Sequence, residues 1–498
     1  MKKYFLLFFV ALMLAVPAAT GAAPLYQGED YTIQADDWLS KLADKFLGDP
    51  LAYPAITFYT NQKNAEDGSY AQITDSNTIE VGWKIYIPDQ AEAEAYFNQA
   101  EGETVASAGA SGENTIKIGG IVPLSAPGSV TGGTAMKAAM EIALEEINAA
   151  GGVLGQPVEL IILDTEGLPE RGATAMQRLI NQEGVVAVTG GYHSAVGLAA
   201  KEVAHDNNVP VLFAETWNDD ITGSGYPQVF RIAPRSSDVA GVDVDFIATL
   251  NPSFVHIMTE NTGYGIPAAE ITTEKFNELG IESETFFADI GTLDFAPVIE
   301  RMKAGRRPDV ILVLLTGETG FNFAQQAAEA GFGPEDVPMV CNQAASDSDA
   351  FWAAVPDGRL CMYHAIGLPT ALWTDNTKAF AEKYVAATGR ARPESYAMEA
   401  YDGLWMTAQA INEAGSTEPD AIIAALEAID YNGALGNITF EYGSSNPVPE
   451  GEPASSWHQF MNPAVTIVQF QETGESAADL TVVFPESYKT GEMILPGQ

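Results

Sequence analysis

Residues 209–222 read VPVLFAETWNDDIT, an apolar run suited to a buried strand that ends in Glu215, Thr216, Trp217, Asn218 and two aspartates. An acid, a hydroxyl, an indole and an amide in that order suit non-covalent capture of a small polar molecule. A second stretch, GGYHSAVG (residues 190–197), places two glycines, Tyr192 and then Ser194 at the start of a helical pattern. A helix N-terminus with unpaired N–H groups and a free hydroxyl is a natural anion site. Ser194 would also serve as an N-cap, and the two roles are compatible. Catalytic signatures are missing: no G-x-S-x-G elbow surrounds Ser194, and the sequence holds neither a phosphate loop nor H-E-x-x-H. Asp164 and Glu166, at the end of VELIILD, read as cleft-lining or loop-solvating acids. The five histidines (His193, His205, His256, His364, His458) show no paired ligand spacing, so neither metal nor cofactor is expected, and no enzyme.

Both stretches follow strands, and in open parallel α/β sheets ligands bind beyond the carboxyl ends of the strands. TIKIGGIVPL, VELIILD, VVAVTG and VPVLFA are expected strands, separated by a helix over TAMKAAMEIALEEINAAGG and helices from about Glu170 and Ser194. The pattern repeats with SFVHIMTE, ETFFAD, DVILVLL and VPMVC, with helices from about Pro267, Phe295 and Phe321. Long helices return at Asn376–Thr388, Ser395–Ala414 and Glu418–Ala428. Continuous apolar strands between amphipathic helices imply parallel sheets covered on both faces. Two such sheets predict two doubly wound lobes with a cleft between them.

The chain has 498 residues, enough for several domains, and a formal net charge of −43 from 67 acids against 24 basic residues. That balance argues against nucleic-acid binding. Met1–Ala23 reads as an export signal, with Lys2 and Lys3, the apolar FLLFFVALMLAV and then small residues. With no cysteine after that run, a lipid anchor is not expected, and no later segment reads as a membrane span. Cys341 and Cys361 are equally compatible with a disulfide and with two buried thiols.

Between the signal and the lobes lies a small unit, with Trp38, Leu39, Leu42, Phe46 and Leu47 at helical spacing. YTI and KIYIP are its short strands, and NQKNAEDGSYAQITD is a polar insert. This strand, helix, helix, strand plan resembles a lysin motif (LysM) module, which implies peptidoglycan or another N-acetylglucosamine polymer as ligand. Asp36 and Asp37 stand where that family has Gly-Asp, and Glu80, Val81 and Gly82 replace its usual turn, so a spacer role stays open. Residues 91–113 turn acidic and then Gly/Ser/Ala-rich, which is linker chemistry.

IKIGGIVPLSAP, VPVLFAETWNDDIT, FRIAP, NTGYG, DFAPVIERMKAGRRPDVILVLL and YDGLWMTAQAINEAG together resemble the branched-chain amino-acid type of ABC-transporter solute-binding protein, over about Thr115–Phe470. The resemblance implies an α/β type I periplasmic-binding-protein fold. Its two Rossmann-like lobes are joined by three crossovers, near Pro234–Ser237, Ile366–Leu372 and Phe440–Asn446, and close by hinge motion. The resulting scheme is a signal over 1–23, the LysM-like domain over 24–90 and a linker over 91–113. The first lobe then takes 114–236 and 370–442, and the second takes 237–369 and 443–498. Carried over singly, the family's carboxylate-binding serine matches Ser194, and its strand-end segment matches Glu215, Thr216 and Trp217, with Trp217 where a threonine is usual. Its two tyrosines match Tyr264 and Tyr396, and Tyr192 beside Ser194 joins the set. The acid that takes a ligand ammonium falls at Gln343, and an aromatic that helps it falls at Thr316. A buried ammonium needs a carboxylate, which Glu318 or Glu215 is left to supply.

The implied function is capture of an amino acid, amide or small carboxylate between the lobes and delivery to an ABC-transporter membrane permease, in the periplasm or outside the cell. Two alternatives stay open: a ligand sensor that passes closure to a membrane receptor, and a wall-associated glycan-binding protein with a degenerate cleft.

Overall fold

A helix needs a start signal and an apolar face, and the N-terminal unit shows how little chain suffices once two strands close it. In the computed structural model, which describes residues 28–34, 39–47, 53–73, 81–90, 92–93, 115–341, 355, 358–461 and 463–497, the chain divides into two compact units, Met1–Thr104 and Val105–Gln498. In the first, β1 (Glu29–Thr32), α1 (Leu39–Leu47), α2 (Tyr53–Glu66) and β2 (Lys84–Ile87) follow in the expected order. β1 and β2 pair antiparallel, Glu29 opposite Ile87 and Thr32 opposite Lys84. Leu39, Leu42 and Leu47 face inward onto Ile56, Ile73 and Ile85. The polar insert is partly helical, because α2 runs on to Glu66. Asn61 then pins the following loop, accepting from Ile73 N at 2.7 Å and donating to Ile73 O at 2.8 Å. The export signal, Trp38, Asp36, Asp37, Glu80 and most of the linker lie outside the described residues.

The second unit opens on β3 (Ile116–Val122), α3 (Val130–Ala149), β4 (Val158–Asp164), α4 (Pro169–Arg178), β5 (Ala187–Gly190), α5 (Ser194–Asp206), β6 (Val211–Phe213), α6 (Asp220–Gly223) and β7 (Val229–Arg231). Their sheet has the order β4-β3-β5-β6-β7 and is parallel throughout. Ser129 caps α3 by accepting from Gly132 N, and Pro169 opens α4 where its missing N–H costs nothing.

The chain then crosses to α7 (Ser236–Thr249), β8 (Phe254–Glu260), α8 (Gly265–Glu278), β9 (Glu282–Ala288), α9 (Ala296–Ala304), β10 (Val310–Leu314), α10 (Glu318–Glu329), β11 (Met339–Cys341) and β12 (Cys361–Ile366). β8 to β12 are parallel, and the parallel pairing of β11 with β12 brings Cys341 and Cys361 to a Cα separation of 5.7 Å, where they form a disulfide.

From β12 the chain returns to the first lobe as α11 (Asp375–Thr388), α12 (Ser395–Ala414), α13 (Pro419–Glu427) and the hairpin of β13 (Tyr431–Gly433) and β14 (Gly436–Ile438). α12 packs along α3 over a core of Met136, Met140, Leu404 and Ile411. Buried Asp402 on α12 holds the hairpin, accepting from Ala434 N at 2.7 Å, Leu435 N at 2.8 Å and the Tyr431 hydroxyl at 3.0 Å.

Two expectations need correction. The second sheet is mixed rather than parallel, because β15 (Val465–Gln469) and β16 (Thr481–Phe484) add antiparallel strands beyond β12, giving the order β16-β15-β12-β11-β10-β8-β9. The third crossing also comes later than Phe440–Asn446. Bridges Phe440–Phe460, Tyr442–Trp457 and Arg231–Gln459 keep that segment against the first lobe, and the chain reaches the second sheet only between Phe460 and Val465. Among the described residues no helix is long and apolar enough to cross a membrane.

Replacing Asp402 with alanine would leave two buried N–H groups and a hydroxyl without an acceptor. Asp402→Ala is therefore expected to cost about 3 kcal/mol in a urea unfolding titration, against less than about 1 kcal/mol for a surface control such as Asp375→Ala.

Candidate functional site

Strands β5 and β6 end side by side, and their last residues build the first-lobe wall of a cleft. Gly190 and Gly191 have φ of +101° and +83°, and a Cβ on Gly191 would stand 2.9 Å from the Phe213 ring, so glycine is required for the chain to turn here. The turn delivers Tyr192, His193 and Ser194. Ser194 is not the cap: His193 occupies the cap position and makes no capping bond. The Ser194 hydroxyl oxygen instead accepts from Trp217 N and Asn218 N, both at 3.1 Å. With both lone pairs engaged, its O–H is left as a donor.

Beneath the second loop lies Arg231, fully buried. Its guanidinium donates to Thr216 O at 3.0 Å, Asn218 O at 2.5 Å and Gln459 Oε1 at 2.6 Å. Burial pushes its pKa down to about 10, so it stays protonated at neutral pH. The loop carbonyls are thus drawn inward, and Glu215 and Trp217 line the cleft.

The second lobe supplies Tyr264, at the start of α8, and Thr316, after β10. The cavity, about 30 Å³ of water-accessible space, is lined by Tyr192, His193, Ser194, Glu215 and Trp217 from one side and by Tyr264 and Thr316 from the other. The Trp217 ring lies 6.0 Å from Tyr264, edge-on, and 5.2 Å from His364. Contacts join the lobes around it: Asn218 Nδ2 donates to Gly263 O at 2.5 Å, and Thr131 N to Glu318 Oε1 at 2.8 Å.

The site is rich in buried acids. Glu399 on α12 is fully buried beside Glu215; burial first, and then the charge of Glu215, raise it well above the ordinary carboxylate range. Glu260, at the end of β8, is also raised by burial, although it accepts from Thr316 N at 2.9 Å and the Thr262 hydroxyl at 2.7 Å. The Tyr264 hydroxyl is pushed up by burial and then by Glu260, Asp243 and Glu215. His193 is driven down to about 3 by burial alone, and both its ring nitrogens lack a protein hydrogen bond.

The expected residues therefore divide. Tyr192, Ser194, Glu215, Trp217 and Tyr264 converge on the cavity. Thr216 does not face it; its methyl packs toward Gly191 and Gly197 in the first lobe. Tyr396 is buried outside the lining, edge-on to Tyr192 at 5.5 Å. Glu318 also stands outside the lining, holding the start of α3. Gln343 lies outside the described residues. Asp164 shapes a loop, accepting from Leu124 N and Glu166 N. Sequence reasoning missed His193 and Glu399. A glutamate in the apolar run YAMEAYD was the available signal for the second.

Residues 115–449 match the model of a family described as periplasmic binding protein. The chain belongs to the periplasmic binding protein family. Over 352 residues this family member is 26% identical to Leu/Ile/Val-binding protein homolog 1 of Brucella abortus, covering 67% of this chain and 88% of that one. Among solved structures it resembles the branched-chain amino acid transporter substrate binding protein LivJ from Streptococcus pneumoniae in complex with isoleucine. The TM-score is 0.62 and the identity 23%, over 74% of this chain and 100% of that one. An ABC-transporter solute binding protein from R. palustris in complex with benzoate gives a TM-score of 0.62 at 18% identity, over 73% and 95%. These structural likenesses establish the type I periplasmic-binding-protein fold.

His193 makes ligand-free stability sensitive to acid. Its folded pKa lies below the ordinary 6.5, so between pH 6.5 and about 3 the unfolded chain binds a proton that the folded chain does not, and stability falls as pH falls. In His193→Gln that contribution should vanish, leaving the stability-versus-pH slope between pH 6 and 4 shallower by up to about 1.4 kcal/mol per unit. Equal slopes in urea titrations of the two proteins would contradict the assignment.

Proposed function

We propose that this periplasmic binding protein is exported, captures a small polar ligand between its lobes and presents it to an ABC-transporter permease. The observation that carries the reading is the cavity itself. It draws Ser194, Glu215 and Trp217 from one lobe and Tyr264 and Thr316 from the other, so it is complete only when the lobes meet. A site divided in this way couples ligand binding to closure, because the ligand has differential contacts with the closed form. The Ser194 hydroxyl and the N-terminus of α5 offer donors, the aromatic rings pack the ligand body, and closure excludes water. The role is capture, not chemistry. Lys2, Lys3 and the following apolar run support export, and the Cys341–Cys361 disulfide suits an oxidising compartment. The names of its relatives support transport over sensing.

A thermal-shift screen of the whole chain against amino acids, amides, small carboxylates and aromatic acids tests this reading. A ligand at 100 times its dissociation constant should stabilise the protein by about 2.7 kcal/mol. Trp217→Ala should weaken that ligand by roughly tenfold or more, since a packed aromatic anchor is lost. Unchanged affinity in the variant would remove Trp217 from the site.

The N-terminal unit is proposed as a LysM-like glycan-binding module that tethers the protein at the wall. Its strand, helix, helix, strand order and the buried core around Leu39, Leu42 and Ile85 support this. Residues 24–90, fused to an inert carrier, should be retained on purified peptidoglycan and released by soluble chitin oligomers. Passage straight through would leave the unit a spacer.

A further inference from the structure

The electrical character of the cavity is one-sided. Glu215 lines it, Glu399 is buried beside Glu215 outside the lining, and Glu260 and Asp243 lie close enough to act on the hydroxyl of the lining residue Tyr264. Both Asp243 carboxylate oxygens are buried without a hydrogen bond among the described residues, and His364 Nδ1 lies 3.6 Å from Oδ1. Against these acids no lysine or arginine lines the cavity among the described residues. Arg231 is spent on Thr216 O, Asn218 O and Gln459, Arg235 on Asp238 and Ser456, and Arg390 on Glu394. A metal ion does not answer this excess, since no group of three or more His, Cys, Asp or Glu among the described residues is arranged to hold one. Besides His193, Ser194 and Thr316, the rest of the lining is aromatic, from Tyr192, Trp217 and Tyr264. Carboxylate beside aromatic rings is the chemistry that recognises an organic ammonium.

We propose that the ligand is an organic cation, a protonated amine or quaternary ammonium, whose charge is taken by Glu215 among Tyr192, Trp217 and Tyr264; this rests on the capture reading above. Glu399 acts through Glu215 as a positioning residue. Burial and the neighbouring Glu215 charge keep its carboxyl protonated, so in this proposal the pair carries one negative charge and the Glu399 O–H is the donor that orients the Glu215 carboxylate. A cation then leaves the closed cleft near neutrality. A purely anionic ligand would bring a second negative charge beside Glu215 with only neutral donors, Ser194 and the N–H groups of α5, to meet it. A zwitterion would leave the Glu215 charge uncompensated overall. Closing on a cation therefore lowers the cost of burying Glu215, whereas closing on an anion raises it.

The test uses the full chain and four probes: choline and phenethylamine as cations, L-leucine as zwitterion and benzoate as anion, each followed by calorimetric titration. At least one cation is expected to bind more tightly than leucine, with benzoate inert. Glu215→Gln should weaken the bound cation by roughly tenfold or more. Glu399→Leu should do likewise, and Glu399→Gln, whose amide N–H replaces the carboxyl proton, should restore most of the loss; a merely structural role would give no such rescue. Each variant's thermal melt is checked for a single cooperative transition, and Glu215→Gln decides the matter where Glu399→Leu fails to fold. Leucine or benzoate binding while both cations stay silent overturns the cation inference and leaves capture standing, as does a Glu215→Gln variant of unchanged affinity. Silence from all four probes, and from the wider thermal-shift screen as well, overturns both readings.

Discussion

A guanidinium cannot be buried unless its donors are met, and meeting those of Arg231 organises the centre of this molecule. The partners are backbone carbonyls of Thr216 and Asn218 and the side chain of Gln459, with Thr222 Oγ1 at 3.3 Å. Three separate segments are thereby tied to the end of β7. One is the loop that carries Glu215 and Trp217, one is α6, and one lies more than two hundred residues later, just before the last crossing. The rim of the cleft and the route of the third crossover depend on the same buried charge.

From that anchor the rest of the site follows by short links. Drawing the carbonyls inward directs Trp217 N and Asn218 N toward Ser194, and the Ser194 oxygen joins the ends of β5 and β6 into one surface. Asn218 then reaches across to Gly263 in the other lobe. A buried acid, Glu399, lies beside Glu215. Each step converts a polar group that would be costly to bury into a contact that positions the next.

The periodic part of this architecture was readable in the chain. Strand β8 and helix α12 match the expected segments closely, because continuous apolar runs and 3.6-residue spacing are local properties. Ser194, Glu215 and Trp217 were legible for a related reason: strand ends in parallel sheets are where ligand contacts gather. What local pattern could not show was direction. Thr216 stands between two cleft residues yet turns inward, since its neighbour Gly197 leaves room for its methyl there. Glu318 satisfies the N-terminus of α3 instead of the cavity, a pairing set by the meeting of two lobes. Strand β16, with its short and weakly patterned run TVVF, went unread because only pairing with β15 makes it a strand.

By itself the sequence determined the two α/β lobes, the family, and the strand ends at which the cavity-lining residues gather, because all three are carried by pattern along the chain. Tertiary structure alone decided which side chains share a cavity, that Glu215 rather than Glu318 supplies its carboxylate, and that the last crossing waits until after Gln459. Those choices depend on desolvation and on partners contributed from distant segments, and burial of a charge is priced only when the whole surroundings of that charge are assembled.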